Sequence, residues 1–91
     1  MRLTQKEAET IRNSILAFDS HAEIYLFGSR VNDSLKGGDI DILIISETLS
    51  FKDKIKILTQ IFKVLEEQKI DIIIKKDKND VFVETLECVA L

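Results

Sequence analysis

The chain has 91 residues, 45% of them hydrophobic and 32% charged, with no proline, a composition that suits one globular domain spanning residues 1–91 and leaves no room for a second. Its 13 basic and 16 acidic residues give a net charge of -3, which argues against general affinity for nucleic-acid backbones. Cys88 and His21 are single, excluding a disulfide framework and a thiolate or imidazole metal cage, and there is no apolar signal core or run of the roughly 18 apolar residues that spans a membrane. A cytoplasmic protein with no membrane partner is expected.

Thr4 followed three residues later by Glu7 reads as a capping box, and Ala8, Ile11, Ile15 and Leu16 continue at helical spacing, predicting a helix over about 4–18. Glu23-Ile24-Tyr25-Leu26-Phe27 is rich in β-formers and stops at Gly28, which predicts a strand feeding a tight turn. Residues 30–38, with Asn32, Asp33, Ser34, Gly37 and Gly38, read as a loop. The next strand is expected over 39–45, where the sequence alternates and then turns wholly apolar, as a strand covered on both faces over its second half would.

From Ser50 to about residue 68 a second helix is expected, with Phe51, Ile55, Leu58, Phe62 and Leu65 as its apolar stripe and Lys52, Lys56, Lys63 and Glu66 opposite as its solvated face. Lys69 to Lys75 reads as a third strand interrupted by one carboxylate, Asp71. A polar turn at 77–80 follows. Phe82, Leu86 and Val89 at helical spacing suggest a short final helix, although Val81-Phe82-Val83 fits a strand equally well. The order helix, strand, strand, helix, strand, helix predicts an α/β fold with helices over at least one sheet face.

Side chains two apart on a strand share a face, so Asp39 and Asp41 project together. Two such anions repel unless protonated, solvated or bridged by cations, and an oxygen-only donor set suits magnesium, with manganese as the alternative. If Asp71 lies beside them on the same face, three carboxylates converge at one sheet end and could hold two ions. Such a site calls for a phosphate cradle. Gly28-Ser29 supplies a candidate, through close backbone approach at the glycine and the Ser29 hydroxyl and N–H, with the Arg30 side chain either on phosphate oxygens or in solvent.

Phe27-Gly28-Ser29, nine intervening residues and Asp39-Ile40-Asp41-Ile42 together resemble the signature of the polymerase-beta-like nucleotidyltransferase superfamily, over roughly residues 20–76. The short length makes the chain similar to the minimal nucleotidyltransferases. That resemblance implies a mixed β-sheet with helices packed against it, Ser29 near the terminal phosphates, Asp39 and Asp41 as metal ligands, and Asp71 as a third acid that binds metal or accepts the acceptor's proton. It further implies ATP as substrate and a helical HEPN-type partner protein. The chain departs from many relatives at Val31-Asn32-Asp33, where small and basic residues would be usual.

Plain structural uses stand beside these roles. Asp-x-Asp is common at strand ends, Ser29 could cap a helix, and Asp71 could be a charge that protects an edge strand from pairing. His21 reads as a surface residue and Cys88 as a small core or interface residue. The sequence closes soon after Asp71 with Val89-Ala90-Leu91, so the acceptor pocket is expected on another chain. The leading expectation is an antitoxin-like enzyme that transfers AMP from ATP to a tyrosine of a HEPN-type toxin. The alternatives are a non-catalytic nucleotide-binding antitoxin and a small-molecule adenylyltransferase of the aminoglycoside-modifying kind.

Overall fold

A computed structural model describes residues 3–32, 38–65 and 68–91, with the side chain of Phe82 outside that description. The first helix, α1 (Gln5–Leu16), starts where the capping box places it. The Thr4 hydroxyl accepts from the Glu7 N–H at 3.1 Å and the Glu7 carboxylate accepts from the Thr4 N–H at 2.9 Å, which satisfies two donors the helix leaves open. One turn repeats later, Ile11 and Ile15 lie fully buried.

Four strands form one sheet: β1 (Glu23–Phe27), β2 (Ile40–Ile45), β3 (Ile70–Lys75) and β4 (Val89–Ala90). Their order is β3-β2-β1-β4, with β1 antiparallel to β2 and β4, and β2 parallel to β3. A parallel neighbour requires a crossover, and α2 (Lys54–Phe62), entered through a 3-10 turn at Phe51–Asp53, makes it. Alternation along the strands then sorts the side chains. Ile24 and Leu26, Ile40, Ile42 and Ile44, and Ile70 and Ile72 form the core with Ile11 and Ile15 from α1, Ile57 and Ile61 from α2, and Leu65 just past it. The expected architecture, a mixed sheet with helices against it, is the observed one. Tyr25, Phe27, Asp41, Leu43, Asp71 and Ile73 belong to the opposite face.

Several boundaries and part of one helical face differ from the sequence reading, although Leu65 is buried and Leu58 packs against the core as expected. The first helix ends at Leu16 rather than 18, because Phe18 and Asp19 bond back to the Ile15 carbonyl in a closing turn. The second ends at Phe62 rather than near 68, with Val64 and Leu65 donating to Ile61 as the chain turns toward β3; residues 66 and 67 lie outside the description. Phe51, Ile55 and Phe62, expected inside, are 79%, 73% and 43% exposed, whereas Ile57 and Ile61 are fully buried. Both sets fit a helical period, and only the direction in which the crossover meets the sheet selects between them. Lys52, Lys56 and Lys63 are exposed as expected.

The final helix is a single turn, α3 (Val81–Glu84). Val89 was expected to extend it, but pairs with Leu26 in β4, and Leu91 donates to the Ile24 carbonyl at 2.9 Å. The open backbone edge of β1 thus outweighs the apolar spacing. Cys88 is half-buried, and that burial raises its thiol pKa. Among the described residues no helix is long and apolar enough to cross a membrane.

Candidate active site

β1 runs out of its sheet at Phe27 into a 3-10 turn, Gly28–Val31, which carries Gly28, Ser29 and Arg30. Gly28 has φ +78°, a region that side chains with a Cβ rarely adopt, and a Cβ there would run into the Asp41 carboxylate. The turn therefore passes directly over that acid. Gly38, with φ +89°, closes the loop in the same way, since a Cβ on it would collide with the Ser29 hydroxyl. Two glycines thus clear the space in which Ser29 and Asp41 sit. Arg30 donates from Nε to the Gly38 carbonyl at 3.2 Å, tying the two ends of the loop together. Residues 33–37, the centre of the expected loop and the point of departure from relatives at Asp33, lie outside the description.

Parallel pairing sets Asp41 of β2 and Asp71 of β3 opposite each other, on one face and in one row with Phe27 of β1. Asp39 precedes β2 by one residue and shares that side of the alternation. Asp71 is exposed on an edge strand, whereas Asp39 and Asp41 are half-buried. Burial is the largest influence on Asp41 and raises its carboxyl pKa, with the charges of Asp71 and then Asp39 pushing the same way. Asp41 therefore feels the charge of both other carboxylates, and β3 brings Asp71 alongside it.

Asp39 has a partner that the sequence reading left unassigned. Lys69 lies beside it, with Nζ 3.6 Å from the Asp39 carboxylate, and stands two residues before Asp71 on the same side of the strand. The signal was available in the Lys-x-Asp spacing, but it needed the register between β2 and β3 to give it meaning. Gly38 was likewise read only as a turn former. Among the described residues no three His, Cys, Asp or Glu side chains converge closely enough to enclose one ion. The donor set nevertheless fits a hard divalent cation, because it is all oxygen and because Asp41 and Asp71 stand opposite each other in one row, where a cation would offset their like charges.

His21, expected on the surface, is exposed, and its N–H donates to the Asp19 carboxylate at 2.9 Å at the other end of the sheet. Glu7, in the first turn of α1, feels the charge of Arg30. Its burial works to raise its pKa, but the Thr4 N–H, the Gln68 side chain, the Thr4 hydroxyl and the Arg30 charge together bring it below the ordinary value. Arg30 therefore ties the loop at Gly38 while its charge reaches the start of α1.

A search among curated proteins finds no match. A family model described as a nucleotidyltransferase domain matches residues 8–88, which include the Gly28-Ser29 turn and all three aspartates. The chain therefore belongs to the nucleotidyltransferase domain family, within the polymerase-beta-like superfamily, and is by that membership a transferase of nucleotidyl groups.

Proposed function

We propose that this face binds a nucleoside triphosphate, with ATP as the substrate, and transfers its nucleoside monophosphate to a hydroxyl. The observation that carries the reading is the row formed by Asp41 and Asp71, with Gly28 packed directly over Asp41 and Ser29 following it in the same turn, in a chain of this family. Ser29 would donate its hydroxyl and N–H to the terminal phosphates, and Arg30 would add charge from the loop closure. Asp39, Asp41 and Asp71 would hold magnesium, two ions with manganese as a substitute. When bound, these ions stabilise the charge on the attacking and leaving oxygens.

The chain's own residues would do the rest. The Gly28 turn fixes the triphosphate against β2, and Asp71, the most exposed of the acids, takes the proton of the attacking hydroxyl. The acceptor oxygen forms a bond to the α-phosphorus, the bond to the bridging oxygen breaks, and pyrophosphate leaves. For the acceptor, the resemblance to minimal nucleotidyltransferases supports a tyrosine of a HEPN-type toxin, so that the chain acts as a type VII-like antitoxin in the cytoplasm.

A second reading is favoured by the Asp39–Lys69 contact: a chain whose acid is already engaged could bind nucleotide and neutralise its partner without transfer. Thermal unfolding with ATP, GTP, CTP and UTP, each with and without magnesium, tests the site. Ligand at about 100 times its Kd stabilises by about 2.7 kcal/mol, and the shift should require magnesium and vanish in Asp41→Asn. No shift with any nucleotide would sink the transfer reading. A mass gain of one nucleoside monophosphate on a partner tyrosine would separate transfer from binding alone.

A further inference from the structure

The outer side of α2 is apolar where a solvent-facing helix should be polar. Ile55, Leu58 and Phe62 follow one another at i, i+3 and i+7, and Phe51 stands one turn earlier. Ile55 is 73% exposed, Phe51 79% and Phe62 43%, and Leu58 is half-buried between this stripe and the core stripe of Ile57 and Ile61. Residues 51 to 62 cover about 18 Å of helix, some three turns. The outer side of α1 is different in kind, carrying Lys6, Glu9, Arg12 and Asn13.

Charge decides what fits on the stripe. Along one margin run Lys52, Lys56 and Lys63, all exposed and without an ion pair among the described residues. Lys54 is placed differently, with Nζ 5.0 Å from the centre of the Phe51 ring. α2 itself contains no acidic residue, and Asp53 just before it is taken up by the capping contact with Ser50. Within α2 and its capping turn, a second copy therefore offers these lysines no open carboxylate among the described residues. A two-fold antiparallel pairing of α2 with α2 sets the lysine margin against its own copy, and a parallel pairing sets it against a margin that holds Lys54 and no carboxylate.

We propose that the Phe51–Ile55–Leu58–Phe62 stripe is the docking surface for an amphipathic helix of a partner protein, whose own apolar stripe is bordered by Asp or Glu facing Lys52, Lys56 and Lys63. A single stripe three turns long matches helix-on-helix packing, in which one ridge fills one groove. An anionic membrane would also meet lysines beside apolar side chains. It suits the chain less well, because the net charge is -3 and the apolar strip is only one side chain wide.

The test uses the full chain and two synthetic helical peptides with the same leucine stripe, one bordered by glutamate and one by lysine, followed by fluorescence anisotropy without nucleotide. The glutamate peptide should bind at least about tenfold more tightly than the lysine peptide, and Ile55→Glu should weaken it about tenfold or more. Ile55 is exposed, so that variant keeps its fold, which its melting curve verifies. Lys52→Glu with Lys56→Glu should reverse the preference between peptides. Equal binding of the two peptides, or no response to Ile55→Glu, overturns the proposal. Sedimentation showing a dimer that Ile55→Glu dissociates would assign the stripe to a second copy, and co-flotation with phosphatidylserine vesicles lost in the same variant would assign it to a membrane. Either result also overturns it. None of these readouts depends on nucleotide, so the docking surface and the transfer reaction stand or fall separately.

Discussion

Two aspartates at opposite ends of the sheet have opposite fates. Asp19, at the far end, accepts from the Ser46 hydroxyl at 2.5 Å and from the His21 N–H at 2.9 Å, and these bonds, led by Ser46, hold its pKa below the ordinary carboxylate value. The same Ser46 oxygen accepts from the Leu49 N–H at 2.9 Å, so the carboxylate anchors a turn that leads toward α2. Asp41, at the near end, is raised by burial and by two like charges. One acid is stabilised by the fold, whereas the other is held by the fold at a cost, which is the pattern expected where a side chain awaits a ligand.

The sharpest way to test that contrast is Asp41→Asn. It should remove the magnesium-dependent thermal shift with nucleotide, roughly 10–20 °C at saturation for a domain of this size. Without ligand it should melt no lower than the parent protein, because a repulsion has been removed. An unliganded variant that melts well below wild type would make Asp41 a structural acid like Asp19.

Gly28→Ala comes next and should damage both properties together. Its φ of +78° alone implies about 1–2 kcal/mol of strain, and the added methyl displaces the Asp41 carboxylate, so urea unfolding and nucleotide-dependent stabilisation should both decline. Wild-type nucleotide binding in this variant would contradict the close packing of the turn on Asp41.

Asp19→Ala should cost about 1 kcal/mol in urea unfolding, the low end for a hydrogen-bonded carboxylate because this one is partly solvated, and leave nucleotide binding unchanged. The smallest effect is in pH. Asp41 has a folded pKa above its unfolded value of about 3.9, so its penalty is full above the folded pKa and fades as pH falls through it. Asp19 has a folded pKa below that value, so its contribution is full above about pH 4 and is lost on further acidification through the folded pKa. In metal-free urea titrations, the difference between wild type and Asp41→Asn should close on approach to about pH 4, and that between wild type and Asp19→Ala only below it. Coincident closure would remove the distinction between the two acids.

What could be read from the sequence was what local chemistry decides. Thr4 and Glu7 are three residues apart and cap α1 without help from elsewhere, and the strand of Asp41 follows from alternation. The same period-2 rule puts Asp39 and Asp41 on one side, but Asp71 joins them only through pairing between strands 30 residues apart, so its place remained conditional. Which side of α2 turns inward depended on how the crossover meets the sheet, and the pairing of Val89 with Leu26 depended on an open edge more than 60 residues earlier. Gly38 against Ser29 and Lys69 beside Asp39 are contacts of the same long-range kind.

The row of acids is divided between strands of unequal exposure. β2 lies inside the sheet with a partner on each side, while β3 is an edge. Amide hydrogens of β2 should therefore be among the slowest to exchange with deuterium, and those of β3 should open through smaller fluctuations. If Asp71 takes part in transfer as proposed, partial openings of β3 would remove it from the row without disturbing Asp41, and activity would be lost before the core is. A ligand that spans both carboxylates would close β3 onto β2, so its tightest binding would be recorded as slowed exchange on the strand it touches at one residue only.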